Sequence, residues 1–167
     1  MTPIEIERKF LIRMPDINAL RGIDGIKIKN ITQTYLKTAD GSTARVRAID
    51  ENDSITYIKT VKNKISNISH YEDEREIDAE QYELELKNAD SEKKPVVKIR
   101  YAFPFNSHIV EIDVYPFWQD RAILEIELTS EDEEISIPDF IDVIKEVTDD
   151  ARYKNTNIAR IVPMDKI

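Results

Sequence analysis

Apolar and polar residues alternate along most of the chain with a period of two residues. Because successive side chains of a strand point to opposite faces, this alternation predicts β-strands. The predicted strands are Ile4–Ile12, Lys27–Lys37, Thr43–Ile49, Ile55–Val61, His70–Ile77, Val96–Phe103, His108–Tyr115 and Ala122–Thr129. Eight antiparallel strands can close into a barrel, which removes the exposed edges of the sheet.

A few segments lack this alternation and carry other signals. Asp16–Arg21 and Asp78–Asn88 each begin with an aspartate that can cap a helix, and Pro138–Thr148 has apolar residues at helical spacing. Lys62–Ser69 is polar and is expected to form a loop. The predicted fold is therefore α+β, an eight-stranded antiparallel closed β-barrel with a few peripheral helices, as a single domain over residues 1–167.

Charged residues occupy alternate positions on the polar face of nearly every predicted strand. The acidic ones are Glu5, Glu7, Glu74, Glu76, Glu111, Asp113, Glu125 and Glu127, and the basic ones are Lys9, Arg45, Arg47, Lys59, Lys98 and Arg100. On one strand, such charges would be explained by an ordinary solvent-exposed face. Their recurrence in pairs of one sign instead favours a charged interior that binds a polyanion through bases and divalent cations through acids.

Composition narrows the chemistry further. The 167 residues include 33 acidic and 24 basic side chains, so the net charge of −9 argues against non-specific nucleic-acid binding. There is no cysteine, and three glycines are too few for a glycine-rich phosphate loop, so side chains must bind any phosphate. No apolar segment is long enough to span a membrane, and the N-terminus has no secretory pattern, so a cytoplasmic location is expected.

The segment Ile4–Leu11, which contains Glu5, Glu7 and Lys9, resembles the ExExK signature of the CYTH domain family, the triphosphate tunnel metalloenzymes. The later segments Arg45–Arg47, Tyr57–Lys59, Glu74–Glu76, Lys98–Arg100, Glu111–Asp113 and Glu125–Glu127 follow in the order of that family's strands, and Asp150–Asn155 resembles its C-terminal basic motif. The resemblance extends to about Ile161. It implies a charged barrel that binds a triphosphate and one or two divalent cations, Mg²⁺ or Mn²⁺.

The resemblance also implies a role for each matching position. Phosphate oxygens would be bound by Lys9, Arg45, Arg47, Lys59, Lys98, Arg100 and Lys154, and metal by Glu5, Glu7, Asp113, Glu125 and Glu127. For Glu74, Glu76 and Glu111, a second metal, an oriented water and pairing with the bases all stay open. The implied catalytic candidates are Glu5, Glu7, Lys9, Tyr35 and Lys98; Tyr35 is included because Gln33–Leu36 resembles the second strand of the family's small bacterial triphosphatases.

We therefore expect a divalent-metal-dependent hydrolase of inorganic triphosphate or a related linear triphosphate. Its partner would be this small molecule rather than nucleic acid or membrane, and a homodimer is left open. One alternative is a class IV adenylyl cyclase, which would need an aromatic site for adenine, whereas Trp118 is expected to pack in the core. A second alternative is a non-catalytic polyphosphate- or nucleotide-binding module, which would need only the bases. His70 and His108 are expected at strand edges rather than as ligands.

Overall fold

A computed structural model describes residues 3–167 and shows an antiparallel β-sheet with short helices around it. The strands are β1 (Ile4–Arg13), β2 (Lys27–Leu36), β3 (Thr43–Glu51), β4 (Ser54–Lys64), β5 (Ser69–Ile77), β6 (Val96–Phe105), β7 (His108–Val114), β8 (Arg121–Leu128) and β9 (Val143–Glu146). The helices are α1 (Ile17–Arg21), α2 (Ala79–Leu86) and α3 (Asn155–Ile158), with a 3-10 turn at Ala151–Tyr153. Over the same residues, none of the helices is both long and apolar enough to cross a membrane.

The first eight strands close into a barrel. Their order is β5-β4-β3-β2-β6-β7-β8-β1, and the ring closes because β1 also pairs with β5. The beginning of β1, from Ile4 to Ile6, pairs with β5, and the stretch from Ile6 to Arg13 pairs with β8. The predicted eight-stranded antiparallel barrel is thus confirmed, and every one of its strands has a neighbour on both sides.

The prediction of a helix over Pro138–Thr148 is wrong. Within this segment β9 forms a short antiparallel pair with Phe10, Leu11 and Ile12 of β1. The pairing of β1 with β5 ends at Ile6, so the rest of that β1 edge is free, and β9 satisfies its backbone groups. The predicted loop over Lys62–Ser69 is also too long, because β4 continues to Lys64 and β5 begins at Ser69.

The main apolar core lies outside the barrel wall rather than within it. It is formed by the outward side chains of β1, β6, β7 and β8, among them Phe10, Ile112 and Ile126. Leu20 of α1 is fully buried against this surface, and the side chain of Asp16 caps α1 as predicted. Because the apolar faces pack outward beneath helices and loops, the polar faces of the same strands point inward.

A separate apolar cluster fills one end of the barrel. Inward side chains of the strands, including Leu11 and Ile123, meet Val147, Tyr153 and Ile158 from the C-terminal segment. The cluster also contains Trp118, which is 2% exposed and donates a hydrogen bond of 2.9 Å to the backbone oxygen of Pro163, consistent with a packing role. This cluster fixes the C-terminal segment against the end of the barrel.

Candidate active site

The barrel encloses a cavity of about 580 Å³ with charged side chains on its wall. Most of the predicted site residues line it, namely Glu5, Glu7, Lys9, Tyr35, Arg45, Arg47, Glu74, Lys98, Arg100, Glu111, Glu125, Glu127 and Lys154. Lys59, Glu76 and Asp113 do not belong to the lining. The alternation of charge along the strands therefore places residues from distant parts of the chain in one cavity.

Lys59 lies on the outer face of the barrel, so its predicted place among the phosphate ligands is wrong. The β3–β4 hairpin turns at Asn52 and Asp53, whose φ angles of 53° and 61° suit a two-residue turn. The resulting register pairs Lys59 with Val46, which packs outward. The Lys59 Nζ donates to the Glu85 carboxylate of α2 at 2.7 Å.

The same register brings in residues that the sequence analysis missed. Thr60, Lys62 and Lys64 alternate with the outward residues of β4 and line the cavity, together with Glu72 and His70 of β5. His70 lies at the start of β5, as expected, and its side chain also lines the cavity. The missed signal was the pattern Thr60, Lys62, Lys64 itself, which depends on the hairpin turn for its direction.

Asp113 is fully buried and holds two cations in place. Its carboxylate lies 2.8 Å from the Nζ of Lys98, and the Nε and Nη2 of Arg100 donate to its two oxygens at 2.7 and 2.9 Å. Burial alone would raise the pKa of Asp113, but Arg100 and Lys98 outweigh it and keep the pKa well below its usual value. Since both oxygens contact cations and Asp113 is outside the cavity lining, this placement favours a positioning role, and the metal-ligand role implied for Asp113 stays a prediction.

Lys98 and Glu111 are shifted toward their neutral forms. Burial lowers the pKa of Lys98 to about 8, although Asp113 opposes the shift. Burial raises the pKa of Glu111 to about 7, against the effect of Arg100, whose Nη1 donates to it at 3.0 Å. Near neutral pH, Lys98 can therefore release a proton and Glu111 can hold one.

Arg45, Arg47 and Thr60 form the wall opposite the acids, and we call these three residues the arginine set. The Nε of each arginine and the hydroxyl of Thr60 are buried and have no hydrogen-bond partner among the described residues. Arg47 also donates to Glu74 at 2.8 Å through its Nη2. Burial, with Arg45 and Arg100 nearby, lowers the pKa of Arg47 to about 10, so the charge of this arginine is not fully compensated.

The acids collect on β1 and β8. Glu7 lies opposite Glu127, and Lys9 lies opposite Glu125 with its Nζ 3.5 Å from that carboxylate. Burial raises the pKa of Glu127, and Glu5, Glu7 and Glu125 raise it further. In the part of the chain from residue 3 onward, however, no three acidic or histidine side chains converge closely enough to form a ready-made metal site.

Tyr35 lines the cavity, whereas Glu76 does not. Tyr35 is 3% exposed, receives a hydrogen bond of 2.9 Å from the Gln33 amide, and has Lys93 above its ring at 5.1 Å. Its packed ring offers little surface for stacking a nucleobase. Glu76 is exposed and outside the cavity lining, so the structure does not bring it to the other predicted site residues.

The structure defines this protein as a closed antiparallel β-barrel that surrounds a charged cavity. The chain belongs to the CYTH domain family, whose profile matches residues 3–160. None of the curated proteins matches it in sequence.

Solved structures show the same fold. The inorganic triphosphatase NE1496 is 28% identical, with 98% of each chain covered and a TM-score of 0.56. A conserved hypothetical protein from Pyrococcus furiosus is 21% identical, with 77% of this chain and 80% of the other covered and a TM-score of 0.58. A putative adenylyl cyclase from Hippeastrum with a dominant triphosphatase activity is 16% identical, with 75% and 80% covered and a TM-score of 0.50. At these identities the last two support the fold alone.

Proposed function

We propose that this protein hydrolyses inorganic triphosphate, or a related linear triphosphate, in a divalent-metal-dependent reaction inside the barrel. The observation that carries the proposal is the unpartnered set of buried donors on Arg45, Arg47 and Thr60. A buried polar group without a partner costs about 1–3 kcal/mol, and phosphate oxygens would satisfy these donors. The 28% identity to an inorganic triphosphatase over nearly the whole chain supports the same reaction.

The acids on β1 and β8 fit a hard divalent cation. Glu7 and Glu127 have no cationic partner within 4.0 Å among residues 3–167, and carboxylate oxygens are the ligands that Mg²⁺ and Mn²⁺ prefer. We propose that Glu5, Glu7, Glu125 and Glu127 would hold the ion. Fewer than three of these acids converge, which suits a cation that keeps water and substrate oxygens as further ligands. When bound, such an ion polarises a phosphoryl oxygen as a Lewis acid.

The bases would bind and orient the substrate. Arg45, Arg47 and Arg100 offer planar donors to phosphate oxygens, and their charge matters more as the phosphoryl group transfers. We assign proton transfer to Lys98. Its Nζ lies 2.8 Å from the Asp113 carboxylate, which orients it, and its pKa is about 8. This division leaves Asp113 as a positioning residue that holds Lys98 and Arg100 toward the cavity.

The direct test is phosphate release from inorganic triphosphate during titration with Mg²⁺ and with Mn²⁺, next to a cyclic AMP assay on ATP. We expect orthophosphate from triphosphate and little cyclic AMP. Arg47→Ala should lower kcat/KM by about 10²–10³-fold, the usual loss for one transition-state donor. Arg21→Ala, an exposed arginine of α1, serves as the matched control and should behave like the wild type.

Two other results would replace this proposal. Cyclic AMP formation without phosphate release would indicate a cyclase. Tight triphosphate binding without turnover at any metal concentration would indicate a binding module. A cytoplasmic location and the lack of nucleic-acid and membrane partners stay predictions from the sequence.

A further inference from the structure

The segment of residues 161–167 follows the part of the chain that matches the family, and we call it the strap. It contains neither helix nor strand, so side chains of the barrel must hold it in place. The buried Trp118 donates to the backbone oxygen of Pro163 at 2.9 Å, and the buried Arg121 donates to the backbone oxygen of Asp165. The strap is therefore fixed against the barrel at the start of β8.

The carboxylate of Asp165 is the point at which the strap meets the turn at Ala151–Tyr153. The Nη1 and Nη2 of Arg152 donate to its two oxygens at 2.8 and 3.0 Å. The hydroxyl of Tyr153 donates to it at 3.0 Å, and the Nζ of Lys145 donates at 3.3 Å. Hydrogen bonds from Arg152 and Tyr153 lower the pKa of Asp165 to about 2, so the carboxylate is charged at neutral pH and attracts both cations.

Tyr153 connects this contact with the cavity. It is fully buried in the apolar cluster at the end of the barrel, so its ring has little freedom to move. Its hydroxyl contacts Asp165, whereas its backbone oxygen accepts a hydrogen bond of 3.3 Å from the Nζ of Lys9. Lys9 lines the cavity and has Glu125 as a second partner, at 3.5 Å. The backbone of Tyr153 thus helps to decide where the ammonium group of Lys9 points.

The turn that carries Tyr153 depends on outside contacts for its geometry. Ala151–Tyr153 is a single 3-10 turn, and α3 after it has four residues. Such short helical pieces are not stable without tertiary contacts. α3 has an anchor of its own, because the buried Tyr115 donates to the side-chain oxygen of Asn155 at 2.7 Å. For the preceding turn, the carboxylate of Asp165 supplies the corresponding anchor.

We propose that Asp165 is a positioning residue for the proposed reaction, which orients Lys9 by holding the hydroxyl of Tyr153. The inference rests on the proposed function in one respect, that Lys9 acts on the substrate. Without the contact to Asp165 the turn can shift, and the Tyr153 oxygen then no longer fixes the ammonium group of Lys9 at the cavity wall. Asp165 itself does not line the cavity, so its effect on the reaction passes through Tyr153.

The first test observes Lys9 directly, by NMR of protein with isotope-labelled lysine side chains, and Lys9→Arg identifies its signal. Asp165→Asn should shift this signal in the folded, metal-free protein, because the ammonium group loses its fixed place beside the Tyr153 oxygen. Asp165→Glu, which keeps the charge, should move the signal back toward its wild-type position. Glu92→Gln is the matched control: it breaks an ion pair of 3.1 Å with Arg160 and should leave the Lys9 signal in place.

The second test is kinetic. Asp165→Asn should lower kcat/KM for triphosphate by about tenfold or more, since small displacements of a positioned group are costly. In the Lys9→Ala background the same change should have little further effect, because both changes act on one contact. Glu92→Gln should keep the wild-type value.

Tyr153→Phe removes the hydroxyl and keeps the ring, so it provides the same two measurements if Asp165→Asn does not fold, as judged by thermal melting. An unmoved Lys9 signal in the folded variant would overturn the inference. So would losses in kcat/KM that simply add in the double variant, because they would show that Asp165 only stabilises the fold. If the wild type releases no phosphate from triphosphate, the proposed function fails, and the Lys9 signal alone decides whether Asp165 orients Lys9.

Discussion

Glu7 and Glu127 lie directly opposite each other in the antiparallel β1–β8 pair, with both side chains on the cavity side. Like charges at such positions destabilise a sheet. Burial, Glu5 and Glu7 all raise the pKa of Glu127, as expected when carboxylates are held close together. The fold therefore keeps a repulsive pair that a bound cation, or protonation of Glu127, would relieve.

Glu127→Gln should separate stability from function. Without metal, loss of the repulsion should stabilise the fold by about 0.2–1 kcal/mol, which raises Tm by roughly 1–4 °C for a chain of this size. The same change removes a metal ligand, so phosphate release should fall and require more metal. The measurements are melting in a chelator and metal-titrated hydrolysis, with the exposed Glu83→Gln as control. Unchanged turnover with unchanged metal dependence would show that Glu127 is not a ligand.

Glu111 gives the metal-free protein a distinct pH dependence. Its pKa is raised to about 7 from 4.5, so the folded state binds this proton more tightly than the unfolded state does. The contribution of Glu111 to stability is therefore complete below about pH 4.5 and is lost as the pH rises through about 7. Unfolding by urea in a chelator should show stability falling across this window, and Glu111→Gln should flatten the curve. A curve equally steep in the variant would assign the effect to other groups.

Lys59 and Lys62 test the register of the β3–β4 hairpin. Lys62→Ala should lower kcat/KM for triphosphate about tenfold or more, because this lysine lines the cavity. Lys59→Ala should keep normal turnover and lose only about 0.2–1 kcal/mol of stability through its contact with Glu85. The opposite pattern of activities would mean that β4 is shifted by one residue, which would exchange its two faces.

Asp113→Asn distinguishes a positioning residue from a metal ligand. The change weakens the compensation of Lys98 and Arg100 in a fully buried place, so a loss of about 3–5 kcal/mol in stability is expected. Turnover should also fall, while the metal concentration for half-maximal activity should stay the same. Asp73→Asn, at an exposed position of β5, is the control. A clear rise in the metal requirement would return Asp113 to the list of ligands.

The barrel and most of its cavity lining could be predicted because period-two alternation determines which side chains share a face. Lys59 shows the limit of this reasoning, since a strand's alternation does not say which face points inward. That choice depends on the turn at Asn52 and Asp53. β9 could not be predicted because its formation depends on a free edge of β1, which is a property of the assembled sheet. The role of Asp113 likewise depends on contacts with Lys98 and Arg100 that only the closed barrel creates.

The position of β1 in the ring also constrains how the chain reaches its native state. Every partner of β1 lies far along the chain, in β5, β8 and β9. Ribosomes add about 5–20 residues per second, so β1 waits on the order of ten seconds for β8. Because such long-range pairings slow folding, closure of the ring is expected to be a late and slow event. Until then the apolar stretch of β1 around Leu11 is exposed in the nascent polypeptide and prone to non-specific association.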